Sequence, residues 1–171
     1  MPGGPKELDD AFELLWSNPE RSLEICQRYV AEHPGDAHGY FSRSNAWKKL
    51  GESEKALADI NKGLELNPNS GGYSTRGVFL HGLGDYQRAI DDLTRAREYD
   101  EEEWKGSLDP HFRADCYARL GLLKEALADC AFIEEDHWTP GLKGLPAGNK
   151  QEFIEEIKRR AAQARSRKIG S

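Results

Sequence analysis

The sequence predicts an all-α fold: about four helix-turn-helix repeats stacked as a solenoid, the first one degenerate, closed by a C-terminal capping helix. Three observations predict it. The segments Val30-Ala31-Glu32-His33-Pro34 and Leu64-Glu65-Leu66-Asn67-Pro68 end alike, and their prolines lie 34 residues apart. A Leu-Gly pair followed by alanine recurs at Gly51/Ala56, Gly84/Ala89 and Gly121/Ala126, with alanine spacings of 33 and 37. Larger residues flank a small one in each first helix: Ser44, Gly77 and Ala114. A fixed period of this length marks a repeat architecture.

The elements follow in order. The first repeat, about 5–35, has a short helix with the stripe Leu8, Phe12 and Leu15, then Asn18-Pro19 as an N-cap with proline at the first helical position. Ser22 lies 34 residues before Ala56. The second, about 36–69, places Tyr40, Ser44 and Trp47 at i, i+4, i+7, then Ala56, Ile60 and Leu64 on the next helix. The third, about 70–103, repeats this with Tyr73, Gly77 and Leu80, then Ala89, Leu93 and Ala96, with Asp85 as an N-cap. The fourth, about 107–137, has Pro110, Ala114 and Tyr117, then Ala126, Cys130 and Ile133. Its longer spacing falls in Asp100–Asp109, which reads as an acidic, solvated linker around Glu101-Glu102-Glu103. Gly51, Gly84 and Gly121 stand where each first helix must stop.

Residues 138–148 are a Pro/Gly loop carrying Trp138, Leu142 and Leu145, apolar enough to seal the last repeat or to dock a partner. Asn149 and Glu152 form a capping box that opens a helix over about 149–165, with Phe153, Ile154 and Ile157 on its apolar face. A solenoid needs such a terminal cap.

Composition narrows the function. The chain of 171 residues has a net charge of −6, and 32% of its residues are charged, intermixed in sign as on solvated helix faces. From Lys158 onward there are six basic residues and no acidic one, so the rest of the chain is more acidic than the whole. That argues against generic nucleic-acid binding. The basic run suits the negative end of a helix dipole. No stretch approaches the roughly 18 apolar residues of a membrane span. The start, Met1-Pro2-Gly3-Gly4-Pro5-Lys6, has no apolar signal core, and a cytoplasmic protein is expected. Cys26, Cys116 and Cys130 show no CxxC pairing and read as buried thiols.

No catalytic constellation emerges. Gly82-Leu83-Gly84 lacks the rest of a dinucleotide loop, and no GxxxxGK[ST], GxSxG or HExxH occurs. His38, His81 and His111 all fall on first helices, but no spacing fixes them as a metal site. No enzyme activity, metal, cofactor or small-molecule substrate is expected.

The markers aromatic, small, aromatic-or-Leu, Leu-Gly and Ala are in full register in the second and third repeats. On them the chain resembles the tetratricopeptide-repeat (TPR) family over roughly residues 5–136. The resemblance implies a protein-binding adaptor or assembly factor that holds a peptide or protein segment in the groove lined by the first helices. A small client-holding, secretion-type chaperone is the alternative. The groove residues implied are Phe41, Ser42, Asn45, Lys48 and Lys49; Ser74, Thr75, Val78 and His81; Leu108, His111, Phe112, Asp115 and Arg119. Some TPR co-chaperones clamp acidic chaperone tails with Lys, Asn, Asn, Lys and Arg. Here Asn45 matches the first Asn, but the other four positions are Phe41, Thr75, Leu108 and Phe112. Without the cations no such clamp is expected.

Overall fold

A computed structural model describes residues 5–134 and 148–169, with no side-chain description for the last two. The described residues form ten α-helices and divide into two compact units, Met1–Gly72 and Tyr73–Ser171.

The N-terminal unit holds two helical hairpins. In the first, α1 (Lys6–Leu14) packs on α2 (Pro19–Glu32); in the second, α3 (Ala37–Lys49) packs on α4 (Ser53–Leu66). Asn18 caps α2 by accepting the Arg21 N–H at 3.0 Å, with Pro19 in the first turn. Asp36 caps α3 by accepting the His38 N–H at 2.9 Å. Leu8, Ala11, Cys26 and Tyr29 form the core of the first hairpin. Ser44, Ala46, Ala56, Ile60 and Leu64 are buried in the second. Gly63 and Gly72 leave room for the Phe41 ring; a Cβ on either would lie within 2.9 Å of it. Trp47, read as a packing aromatic, is only half-buried, with the Lys55 ammonium 4.7 Å from its ring centre. Helix α5 (Ser70–Leu83) starts in this unit, where Asn69 accepts the Gly72 N–H, and runs into the next.

The C-terminal unit contains most of α5, then α6 (Tyr86–Tyr99), α7 (Glu101–Lys105), α8 (Asp109–Arg119), α9 (Leu123–Cys130) and α10 (Lys150–Ile169). Helix α10 lies against both α8 and α9. Its capping box forms as expected: Asn149 accepts the Glu152 N–H and Glu152 accepts the Asn149 N–H. Phe153, Ile157 and Ala161 sink into one cluster with Ala114, Ala118, Ala126, Cys130 and Ile133. Burying one large apolar side chain contributes about 1.5–3 kcal/mol, so this seam contributes to docking the helix.

Gly51, Gly84 and Gly121 all have positive φ, between +79° and +86°. Each ends a first helix in the left-handed conformation that L side chains avoid.

The acidic linker requires a correction. Glu101–Glu103 are exposed, but the segment is helical, and Trp104 within it is fully buried. The indole meets Phe132 edge-on at 5.4 Å, with the guanidiniums of Arg97 and Arg113 at 5.2 and 4.6 Å from its ring. The insert is a packing element as well as a spacer. The loop with Trp138, Leu142 and Leu145 lies outside the described residues.

One recurring contact was not anticipated. In three successive repeats an arginine on the first helix forms a two-pronged ion pair with an aspartate 16 residues later on the second: Arg43–Asp59, Arg76–Asp92 and Arg113–Asp129. Every N···O distance is 2.7–2.8 Å. Fork-on-carboxylate geometry fixes the angle between two helices as well as their separation. The first repeat has no counterpart: an aspartate, Asp10, stands where the arginine would be, and Cys26 follows it by 16.

Candidate functional site

In the N-terminal unit, α1 and α3 bound a cleft of about 170 Å³ lined by Leu8, Asp9, Phe12, His38, Phe41, Ser42 and Asn45. The α3 contributors follow helical spacing, His38, Phe41/Ser42 and Asn45, so one face of that helix presents all of them. Phe41 is half-buried: the glycines Gly63 and Gly72 take one side of its ring while it also lines the cleft. The opposite wall comes from α1. The stripe Leu8, Phe12, Leu15 was expected to pack inward, and Leu8 and Leu15 do. Phe12 does not; it is 55% exposed. Beyond it Trp16 is 74% exposed, with the Lys49 ammonium over its ring. The cleft therefore has an apolar floor and a rim of Asp9, His38, Ser42 and Asn45. That composition suits a segment held by an apolar anchor and a few hydrogen bonds. Lys48 is half-buried and does not line it; burial, then the neighbouring charge of Lys49, lowers its pKa.

The C-terminal unit treats the equivalent face differently. His81, His111 and Asp115 were expected at an accessible groove, and all three are buried. His111 and Asp115 are covered by α10, which packs across α8, while His81 of α5 is closed in by Asp115, Phe112 and Tyr86. The His111 ring meets Phe153 of α10 edge-on at 5.2 Å. Asp115, with 0% exposure, gathers three donors. Its Oδ2 takes His81 Nε2 at 2.7 Å and Arg119 Nε at 2.6 Å, and its Oδ1 takes Arg160 Nη1 at 2.8 Å. Burial pushes this carboxyl up, but the hydrogen bonds from His81 and Arg119 and the charges of Arg119 and Arg160 outweigh it. The group ends below the usual aspartate range. Phe112 packs edge-on against His81 at 5.1 Å and supports the core. Thr75, Val78 and Arg119 are half-buried.

The remaining chemistry is muted. His38 is exposed and bonded to Asp36. Among the described residues no group of His, Cys, Asp and Glu has the arrangement of a metal site. Burial raises the Cys26 and Cys130 thiols to about 11 and about 12, and pushes Cys116 up as well, so none is a thiolate near neutral pH. No helix among the described residues is long and apolar enough to cross a membrane.

Comparison with known proteins agrees with this architecture. The tetratricopeptide-repeat family model matches residues 37–70, which span α3 and α4. The human SGT1 homolog is 31% identical over 90 residues, 52% of this chain and 25% of that protein. Hsc70-interacting protein 1 of Drosophila melanogaster is 30% identical over 113 residues, 63% of this chain and 27% of that protein. The chain thus spans about a quarter of the length of these relatives. Among solved structures, the TPR protein YrrB, described as having an unusual peptide-binding site, superposes with a TM-score of 0.67 at 21% identity, covering 92% of this chain and 80% of YrrB. TTC0263, a TPR protein of Thermus thermophilus, gives 0.64 at 23% identity, covering 95% and 82%. At these identities the structures speak to fold alone. The repeat markers, the left-handed glycine turns and these folds agree: the chain has the tetratricopeptide-repeat fold, and residues 37–70 match that family's model.

Proposed function

We propose that the chain is a non-enzymatic, cytoplasmic protein-binding adaptor or assembly factor, and that it holds a partner segment in the α1–α3 cleft of its N-terminal unit. The observation that carries this reading is Phe12. It is a large aromatic on a helix whose neighbouring apolar residues are buried, left open beside a cleft floored by Leu8 and Phe41. Exposed aromatics next to an apolar cleft with a polar rim are the usual anchors of a protein interface. The partner expected is an extended or helical segment that inserts one apolar side chain and hydrogen-bonds Asn45 and Ser42. Relatives named for an interaction with Hsc70 support a protein as the partner class.

The test is affinity capture from the source cell with the full chain and with F12A/N45A. The double variant should stay helical by circular dichroism and lose the partner. Undiminished capture by a folded double variant would remove the cleft from the function.

A further inference from the structure

The basic C-terminal run is only partly explained by helix capping. Two of its arginines anchor α10. Arg160 reaches the buried Asp115, and Arg165 donates to the Gly121 carbonyl at 2.8 Å. Beside them opens a cleft of about 450 Å³ lined by Tyr86, Arg119, Arg160, Gln163, Ala164 and the exposed Arg167. Three guanidiniums, a phenol and a carboxamide therefore converge on one space.

Asp115 is shared by Arg119 and Arg160. Glu156 is shared by Arg160 and Arg159. Arg119 and Arg160 are thus held in place by carboxylates, while Arg167 lines the cleft from an exposed position. The network is also more elaborate than docking requires. The apolar seam of Phe153, Ile157 and Ala161 already holds α10, and buried ion networks rarely stabilise more than apolar residues of similar volume. What the network adds is orientation. The buried carboxylate fixes two guanidiniums, and Arg119 Nη1 also donates to the Tyr86 hydroxyl at 3.0 Å. Guanidiniums held in place lose little entropy when they take up an oxyanion.

We propose that this cleft binds a compact dianionic group on a partner peptide: either a phosphorylated side chain or two adjacent carboxylates. Both present closely spaced oxyanions, and a phosphoryl group carries about −1.5 to −2 charges at neutral pH. A nucleic-acid strand fits poorly. It would need a continuous cationic track, whereas this chain carries a net −6.

The experiment is fluorescence anisotropy on the full chain with three labelled peptides of one neutral background, carrying phosphoserine, Glu-Glu or Ser-Ser. One charged peptide should bind at least about tenfold tighter than Ser-Ser, the effect of one or two charge-assisted hydrogen bonds. R167E should weaken that binding by about tenfold without altering the circular dichroism spectrum, because Arg167 is exposed. R119Q/R160M should abolish it. R167E keeps the test decisive if the double variant loosens α10. The F12A/N45A variant should bind these peptides normally, which separates this site from the α1–α3 cleft. Equal binding of all three peptides, no binding of any, or binding indifferent to R167E overturns the proposal. So does an Arg167-dependent preference for a single-stranded RNA probe.

Discussion

Arg43–Asp59 in the N-terminal unit and Arg113–Asp129 in the C-terminal unit are the same ion pair at the same place in the repeat. The first is partly open, with side-chain exposures of 22% and 9%; the second is shut in, at 6% and 4%. The first-helix faces differ in the same direction. In the N-terminal unit α1 and α3 leave Phe12 and Asn45 beside an open cleft. In the C-terminal unit α10 covers α8, and the positions that could meet a partner hold a buried polar network instead. One repeat pattern therefore yields a binding face or a core, depending on what packs against it.

Four measurements break or sharpen this contrast, taken from the largest expected effect. Trp104→Ala removes a fully buried indole and should cost about 3–5 kcal/mol, whereas Trp16→Ala at an exposed site should stay within about 0.5 kcal/mol. Urea unfolding of the two variants checks this; similar losses would mean that burial does not distinguish the two aromatics.

Next is Asp115→Asn, which removes the buried charge that Arg119 and Arg160 share and should cost about 3–5 kcal/mol near neutral pH. The folded-state pKa of Asp115 lies below its unfolded value. Its stabilisation is therefore complete above the ordinary aspartate range, about pH 4, and fades as pH falls through the lower folded value. The gap between wild type and variant should close in strong acid, and a gap independent of pH would show that charge is not its source.

Third, Asp129→Asn should approach the same few kcal/mol, while Asp59→Asn should cost less, because its partner Arg43 keeps more contact with solvent. Equal thermal shifts would dissolve the contrast. Smallest in stability is F12A/N45A, which should move unfolding by less than about 1 kcal/mol yet abolish partner capture.

Part of this was legible in the sequence. Gly51, Gly84 and Gly121 could be placed because a left-handed helix stop is decided within a few residues. Asn18, Asp85 and the Asn149/Glu152 box were readable for the same reason: each cap acts over three positions. On the α3 face, helical spacing puts Phe41, Ser42 and Asn45 on one side, and they line the α1–α3 cleft; the exposure of Phe12 had no such signal. A stripe shows which residues share a face without showing that nothing covers it. The burial of His111 and Asp115 was likewise invisible, because it depends on α10, whose Arg160 meets Asp115 across 45 residues of chain; His81 meets Asp115 across 34. Trp104 stood outside the repeat register and was read with its acidic neighbours. The Arg–Asp pairs did leave a signal: an arginine just before each small residue of the first helix and an aspartate 16 later, three times over.

Those pairs also bear on how the chain assembles. Each one closes a short stretch of chain, so a hairpin can form its ion pair without waiting for distant residues. Loop-closure entropy is small at that separation, and folds rich in such local contacts form quickly. The bond from Asp115 to Arg160 requires a much longer loop to close. The expected order is hairpins first and the C-terminal helix afterward, so newly folded molecules would briefly expose the α8 surface that α10 later covers.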